Sequence, residues 1–158
     1  MFYICPQIYI TMRSNNTDKL IIYKTLKSPT GYIPFYPSVQ AGFPSPADDY
    51  MEEKLDLNRF LIKNPSATFY VKVEGVSMVG AGIYPKDILI VDRSLRAKNN
   101  DIIIALVNGE FTVKRLNLQA DKVLLLAENP TYEPIDVSET DFQVWGIVTY
   151  VIHNPKNS

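Results

Sequence analysis

Three short stretches of this chain carry residue types that can make and break an acyl bond. The first is Glu74-Gly75-Val76-Ser77-Met78. A serine two places after a glycine, just past an apolar run, can sit in a tight turn. Its hydroxyl and backbone amides then face outward, and such amides can hold an oxyanion. The second is Lys114, within Phe111-Thr112-Val113-Lys114-Arg115-Leu116. Strand alternation puts it on the face of Thr112 and Leu116. On that half-apolar face desolvation disfavours the ammonium form, and a neutral amine can take the proton of a serine hydroxyl. The third is Val39-Gln40-Ala41-Gly42-Phe43-Pro44-Ser45-Pro46, where Ala41-Gly42 is small enough for the backbone to enter a narrow cleft. Each stretch also has a plainer reading. Gly-x-Ser after a strand is an ordinary turn, a strand lysine can be an edge residue kept in water against aggregation, and Ala41-Gly42 can be a bend.

Other chemistry has less to work with. The chain has 158 residues, enough for one domain and an arm, and 46% of them are hydrophobic, enough for a real core. Net charge is -1, from 16 basic and 17 acidic residues. That balance carries no footprint for direct, sequence-specific DNA binding. The single cysteine, Cys5, cannot build a disulfide framework or a cysteine zinc site within the chain, which fits a reducing compartment. No metal or cofactor is expected. The lone His153 reads as a surface residue ending the last strand rather than a partner for Ser77. Met1 to Ile10 is apolar but lacks the basic start and cleavage pattern of a signal peptide. No stretch is long enough to span a bilayer, so a cytoplasmic protein without a membrane anchor is expected.

The elements that must position these residues fall into two zones. Residues 1–45 alternate short apolar runs with polar breaks, and Pro34 and Pro37 exclude a helix there. This is an extended arm, with room for one or two strands. Ser45-Pro46 with Asp48 and Asp49, and then Asp56 before Leu57–Lys63, are helix starts, so two short helices are expected between Pro46 and Lys63. Asn64-Pro65 ends the second. Beyond Ala67 the chain reads as strand: Thr68–Val73, Ile88–Asp92, Asp101–Val107, Glu110–Leu116, Lys122–Ala127 and Phe142–Ile152. Asn108-Gly109 suits a two-residue hairpin turn with positive φ at both positions. Six strands at short spacing predict a mostly β domain, a barrel or strongly bent sheets.

From about Ile33 onward the chain resembles the self-cleaving Ser-Lys peptidase family of LexA-type repressors and UmuD proteins (peptidase family S24). The matching residues are Ala41-Gly42, Phe43-Pro44-Ser45-Pro46-Ala47, Leu57-Asn58, Pro65-Ser66-Ala67-Thr68, Gly75-x-Ser77-Met78, Asp87-Ile88-Leu89-Ile90-Val91-Asp92, Asp101-Ile102-x-Ile104-Ala105 and Gly109-Glu110-Phe111-Thr112-Val113-Lys114. The spacing is also similar, 35 positions from Gly42 to Ser77 and 37 from Ser77 to Lys114. The resemblance implies the family's compact fold of bent β-sheets with one or two short helices and an extended N-terminal arm. It implies Ser77 as nucleophile, Lys114 as base, the backbone amides of Ser77 and Val76 as oxyanion hole, and Ala41-Gly42 as the bond cut. Residues 1–41 would then be a removable arm and 42–158 the peptidase and polymerase-subunit domain. Two departures stand out: Lys86 and Asn100 replace glycines usual in the family. Asn tolerates left-handed backbone; Lys86 suits it less, so the Pro85-Lys86 turn is expected to differ in shape.

The arm separates the family's branches. A LexA-type repressor carries a helix-turn-helix domain of about 60 residues or more ahead of its cleavage site. Forty-one residues precede Gly42 here, with no amphipathic helix pair. The chain therefore resembles UmuD. That resemblance implies an SOS-response protein acting as a homodimer, stimulated by a RecA filament on single-stranded DNA, whose trimmed form joins a UmuC-like Y-family polymerase for error-prone translesion synthesis. The alternatives are a LexA-like or phage-type regulator without its DNA-binding domain, and a non-catalytic β module that binds a partner.

Overall fold

The computed structural model describes residues 21–24, 33–35 and 53–157. In chain order these form β1 (Ile21–Lys24), β2 (Ile33–Phe35), β3 (Glu53–Leu55), α1 (Leu57–Leu61), β4 (Thr68–Lys72), β5 (Ile88–Asp92), β6 (Ile102–Val107), β7 (Glu110–Leu118), β8 (Val123–Leu126), β9 (Ile135–Asp136) and β10 (Phe142–Ile152). Single 3₁₀ turns cover Val79–Ala81 and Pro155–Asn157. The protein is mostly β, as its residue pattern predicts. Two units can be distinguished. One holds β1 and everything from Asn64 onward; the other holds β2, β3 and α1.

In the smaller unit Ile33 pairs with Leu55 and Phe35 with Glu53 in an antiparallel ladder. Glu53–Leu55 is thus a strand within the stretch assigned to helices. Pairing with a segment twenty residues away overrides a local signal there, and a proline is tolerated because a two-stranded ribbon is all edge. Asp56 does cap α1: its side chain accepts from the Asn58 and Arg59 amides at 3.0 and 3.3 Å. The helix closes at Ile62, one residue short of Lys63. The helix start at Ser45-Pro46 lies outside the described residues.

The larger unit is one eight-stranded antiparallel sheet in the order β1-β4-β5-β10-β6-β7-β8-β9. β1, from the expected arm, supplies an edge strand, with Ile21 opposite Lys72 and Lys24 opposite Phe69. β6 explains the two-sided core. Its run Ile102 to Val107 is apolar at every position, the pattern of a strand covered on both faces. Ile104 packs with Val71, Val73, Met78, Leu89, Val91 and Val113. Ile103 and Ala105 pack with Leu116, Leu125, Val137 and Ile147 on the other side. β10 serves both halves, pairing β6 through its first residues and β5 through its last. Register shifts around Trp145 and Thr149 mark bulges, which bend the strand and give the sheet its curvature. Among the described residues no helix is long and apolar enough to cross a membrane.

Three turns tie the strands. Asn108 and Gly109 have φ of 50° and 83°, and Val107 faces Glu110, the expected two-residue hairpin. Asn100 takes φ 72° and donates its amide to Leu116 O at 2.8 Å. Lys86 also enters the left-handed region, at φ 76°, with its amide donating to Val73 O at 2.8 Å. The turn thus keeps the backbone a glycine would give it and leaves Lys86 strained. A left-handed non-glycine residue costs about 1–2 kcal/mol; the greater unfolded-state freedom of glycine offsets about half of that. Lys86→Gly is therefore expected to raise stability by about 0.5–1 kcal/mol, read as a higher urea midpoint at unchanged slope.

Asp87, next in that turn, is 3% exposed and accepts from the Tyr84 amide at 2.8 Å. Its other oxygen lies 2.7 Å from Nδ1 of His153. His153 is thus half-buried against Asp87 and the Tyr84 ring rather than a plain surface residue. At the end of β5, burial works against the ionised form of Asp92, but hydrogen bonds from Ser94 and Asn64 outweigh it. They hold its carboxyl below the ordinary value.

Candidate active site

Ser77 stands where the chain leaves β4 and turns. Met78 (2% exposed) and Ile83 (0%) anchor the turn in the core, while Val76 is 45% exposed. The turn closes on itself: Ala81 and Ile83 amides donate to Met78 O at 3.0 and 3.3 Å, and the Gly82 amide to Val79 O at 3.0 Å. Ser77 is therefore held between an exposed and a buried neighbour, and its own side chain is only 4% exposed.

Lys114 comes from the middle of β7, with Ile103 of β6 opposite it. It too is only 4% exposed. Its Nζ lies 3.0 Å from Ser77 Oγ, 3.0 Å from Thr112 Oγ1 and 3.0 Å from Val113 O. The bond to Thr112, two residues earlier, follows from the strand alternation that puts both on one face. The Tyr132 ring centroid lies 5.9 Å from the same nitrogen. Thr112 Oγ1 and the Val113 carbonyl can each accept one N–H. A neutral amine fixed by those two bonds directs its lone pair into the remaining position, where the Ser77 hydroxyl sits. An edge-strand lysine reaching water is a different arrangement from this one.

A second segment buttresses the turn. The Gly80 amide donates to Glu128 O at 2.7 Å, and Asn129 Nδ2 donates to Val76 O at 2.9 Å. Asn129 Oδ1 accepts from the Thr131 amide at 3.0 Å. The Glu128 side chain pairs with Arg115, the neighbour of Lys114, and Arg115 also donates to Asn100 O at 2.7 Å. Among the described residues, the amides of Val76 and Ser77 donate to no group. Also among them, no cluster of His, Cys, Asp and Glu side chains is fit to hold a metal ion.

The structure thus joins Ser77 and Lys114, separated by 37 positions in sequence, with Val76 adjoining them. Ala41 and Gly42 lie outside the described residues. In sequence Thr112 is no more than a face-mate of Lys114, and alternation is the signal that points to its part in the site. Glu128, Asn129 and Gly80 were missed; in sequence, Glu128-Asn129-Pro130 is no more than a turn.

A buried serine hydroxyl against a buried amine, in a turn whose Val76 and Ser77 amides donate to no group among the described residues, is an arrangement suited to acyl transfer. Comparison with known proteins agrees with that chemistry. Residues 34–149 match the Peptidase S24-like family. The chain belongs to the S24 family. Among its S24-type relatives, Protein SamA of Salmonella typhimurium is 45% identical over 118 residues, covering 75% of this chain and 82% of that protein. Protein MucA of Escherichia coli is 41% identical over 127 residues, covering 78% and 86%. The LexA repressor of an Anaeromyxobacter species is 34% identical over 120 residues, 76% of this chain but 52% of that longer protein. Within the S24 family the chain is UmuD-like, matching SamA and MucA along most of their length. It is a member of a serine peptidase family.

Proposed function

We propose that this protein cuts its own chain between Ala41 and Gly42. The observation that carries the reading is the 3.0 Å approach of Lys114 Nζ to Ser77 Oγ with both side chains buried. Ser77 Oγ attacks the Ala41 carbonyl carbon while its proton passes to Lys114 Nζ. The oxyanion formed is held by the amides of Ser77 and Val76. Collapse breaks the Ala41–Gly42 bond, and Lys114 returns the proton to the Gly42 nitrogen. Water, activated by the same amine, then frees Ala41 from the serine ester. Residues 1–41 leave and 42–158 remain. The cut separates β1 and β2 from the chain that carries their partners β4 and β3, so only the two ladders, with no covalent tie, oppose the fragment's departure.

In this reading the protein is a cytoplasmic homodimer of the SOS response. A RecA filament on single-stranded DNA favours the arm position that brings Ala41 to Ser77, a population shift rather than new chemistry. The trimmed form serves a UmuC-like Y-family polymerase in translesion synthesis. The UmuD-like relatives support this setting.

Purified full-length protein tests the chemistry without any partner. Only the neutral amine accepts a proton, so the rate should climb about tenfold per pH unit and level off once Lys114 is deprotonated. Mass spectrometry should detect a new N-terminus at Gly42, and Ser77→Ala should give none. Trimming by Ser77→Ala at that bond, or a rate flat in pH, would sink the proposal.

A further inference from the structure

We infer that Asn129 is a positioning residue for the oxyanion hole, a reading that rests on the self-cleavage proposed above. The argument starts from the peptide unit joining Val76 to Ser77. It is planar and trans, so its carbonyl and its N–H point in opposite directions. Whatever fixes the Val76 oxygen therefore fixes the Ser77 amide. Asn129 Nδ2 donates to that oxygen at 2.9 Å. The Val79 amide approaches it only at 3.5 Å, so Asn129 makes the stronger hold.

The side-chain amide has one orientation that satisfies both its partners. Oδ1 must face the Thr131 N–H, 3.0 Å away, and Nδ2 must then face the Val76 carbonyl. Asn129 is itself held from behind, since Glu128 accepts from Gly80 and pairs with Arg115. The clamp thus runs from β7 through residues 128–131 to the Ser77 turn. Without it the Val76–Ser77 peptide can rotate and carry the Ser77 N–H away from the position of the developing oxyanion. The donor remains in the chain but is no longer preorganised, and preorganisation is what makes such a donor effective. Asn129 touches neither substrate nor Lys114 in this role.

The test uses the full chain and two variants. Asn129→Asp keeps an oxygen for the Thr131 amide and loses the donor to Val76; Asn129→Ala loses both. Each is expected to lower the high-pH plateau of the self-trimming rate about tenfold or more, a part of the 10²–10³ loss that follows removal of a whole oxyanion donor. Scoring at the plateau keeps the added charge of Asn129→Asp from acting through Lys114 protonation. The pH midpoint of Asn129→Ala, which adds no charge, should match the wild type. The Ser77 amide resonance in a ¹H–¹⁵N spectrum should move or broaden in both, while those of Ile103 and Leu125 stay in place. An unchanged plateau in Asn129→Asp overturns the inference, as does an unmoved Ser77 resonance. A shifted midpoint with an intact plateau in Asn129→Ala overturns it too, because the effect then runs through Lys114. If Asn129→Ala loses the native spectrum, Asn129→Asp decides. If wild-type protein never yields the Gly42 terminus, the self-cleavage reading fails, and the Ser77 resonance alone decides whether Asn129 is a clamp.

Discussion

Lys114→Met and Lys114→Arg are each expected to abolish release of the Gly42 terminus, for different physical reasons. Methionine matches the length and apolar character of the buried stem but has no basic nitrogen. Arginine keeps a positive charge, yet its guanidinium does not deprotonate in proteins and cannot accept the Ser77 proton. A general base is worth about 10²–10⁴-fold in rate, so either loss takes the cut below detection in an incubation of ordinary length. The stabilities should diverge. Lys114 is 4% exposed and surrounded by Ser77, Thr112 and the Val113 carbonyl. Removing the amine relieves the cost of burying an ionisable group but takes a partner from the Ser77 and Thr112 hydroxyls and the Val113 carbonyl. The two effects offset, so Lys114→Met should melt near the wild-type temperature. Arg115 and Glu128 are untouched by it, so the Ser77 turn keeps its support. Lys114→Arg forces a larger, permanently charged group into the same space and should melt lower. Measured on gels and by mass spectrometry across neutral to alkaline pH, cleavage by Lys114→Arg would show that a positive charge suffices and that no base is needed.

That contrast depends on burial, which the sequence only partly foreshadowed. Alternation along Phe111 to Leu116 put Lys114 beside Thr112, and the observed hydrogen bond follows from it. The strands after Ala67 were legible because turn residues punctuate β-branched runs, and the Asn108-Gly109 hairpin because its backbone demands those residues. What brings Ser77 to Lys114, however, is the bending of the sheet across β4-β5-β10-β6-β7, with the turn after β4, which sets a residue beyond one strand against the middle of another four places along. No local pattern encodes that; the family resemblance stood in for it. Glu53–Leu55, a strand inside the Pro46–Lys63 stretch where two short helices are expected, is not legible locally because its partner, Ile33–Phe35, is a separate stretch of chain. Lys86 was expected to reshape its turn, but the Val73 carbonyl and the Asp87 side chain hold the backbone on both sides, so the residue bears the strain. The buttress at Glu128 and Asn129 was invisible for a related reason. Its bonds to Val76 and Gly80 span about fifty positions and involve backbone atoms, which carry no residue signature.

Gly80→Ala is expected to break that buttress and the site with it. The Gly80 amide donates to Glu128 O at 2.7 Å, and a Cβ built on Gly80 would lie 2.5 Å from the same oxygen and 3.2 Å from its carbon. Both are backbone atoms, so no rotamer change relieves the clash. Glu128 cannot retreat freely, because Arg115 holds its side chain and Asn129 holds Val76. One of the two segments must shift, and each carries part of the site. Overpacking of this kind costs about 1–3 kcal/mol, and a displacement of about 1 Å at a reacting group costs about 10²-fold in rate. Gly82→Ala is the matched control in the same turn. Gly82 has φ 74° but open space around its Cβ position, so alanine there meets only backbone strain of about 1–2 kcal/mol. The two variants should therefore lose similar stability by urea denaturation yet differ in self-trimming. Gly82→Ala should stay within a few-fold of wild type, while Gly80→Ala falls about a hundredfold. Equal rates in the two variants would mean that contact between the Ser77 turn and residues 128–131 contributes stability but does not align the site.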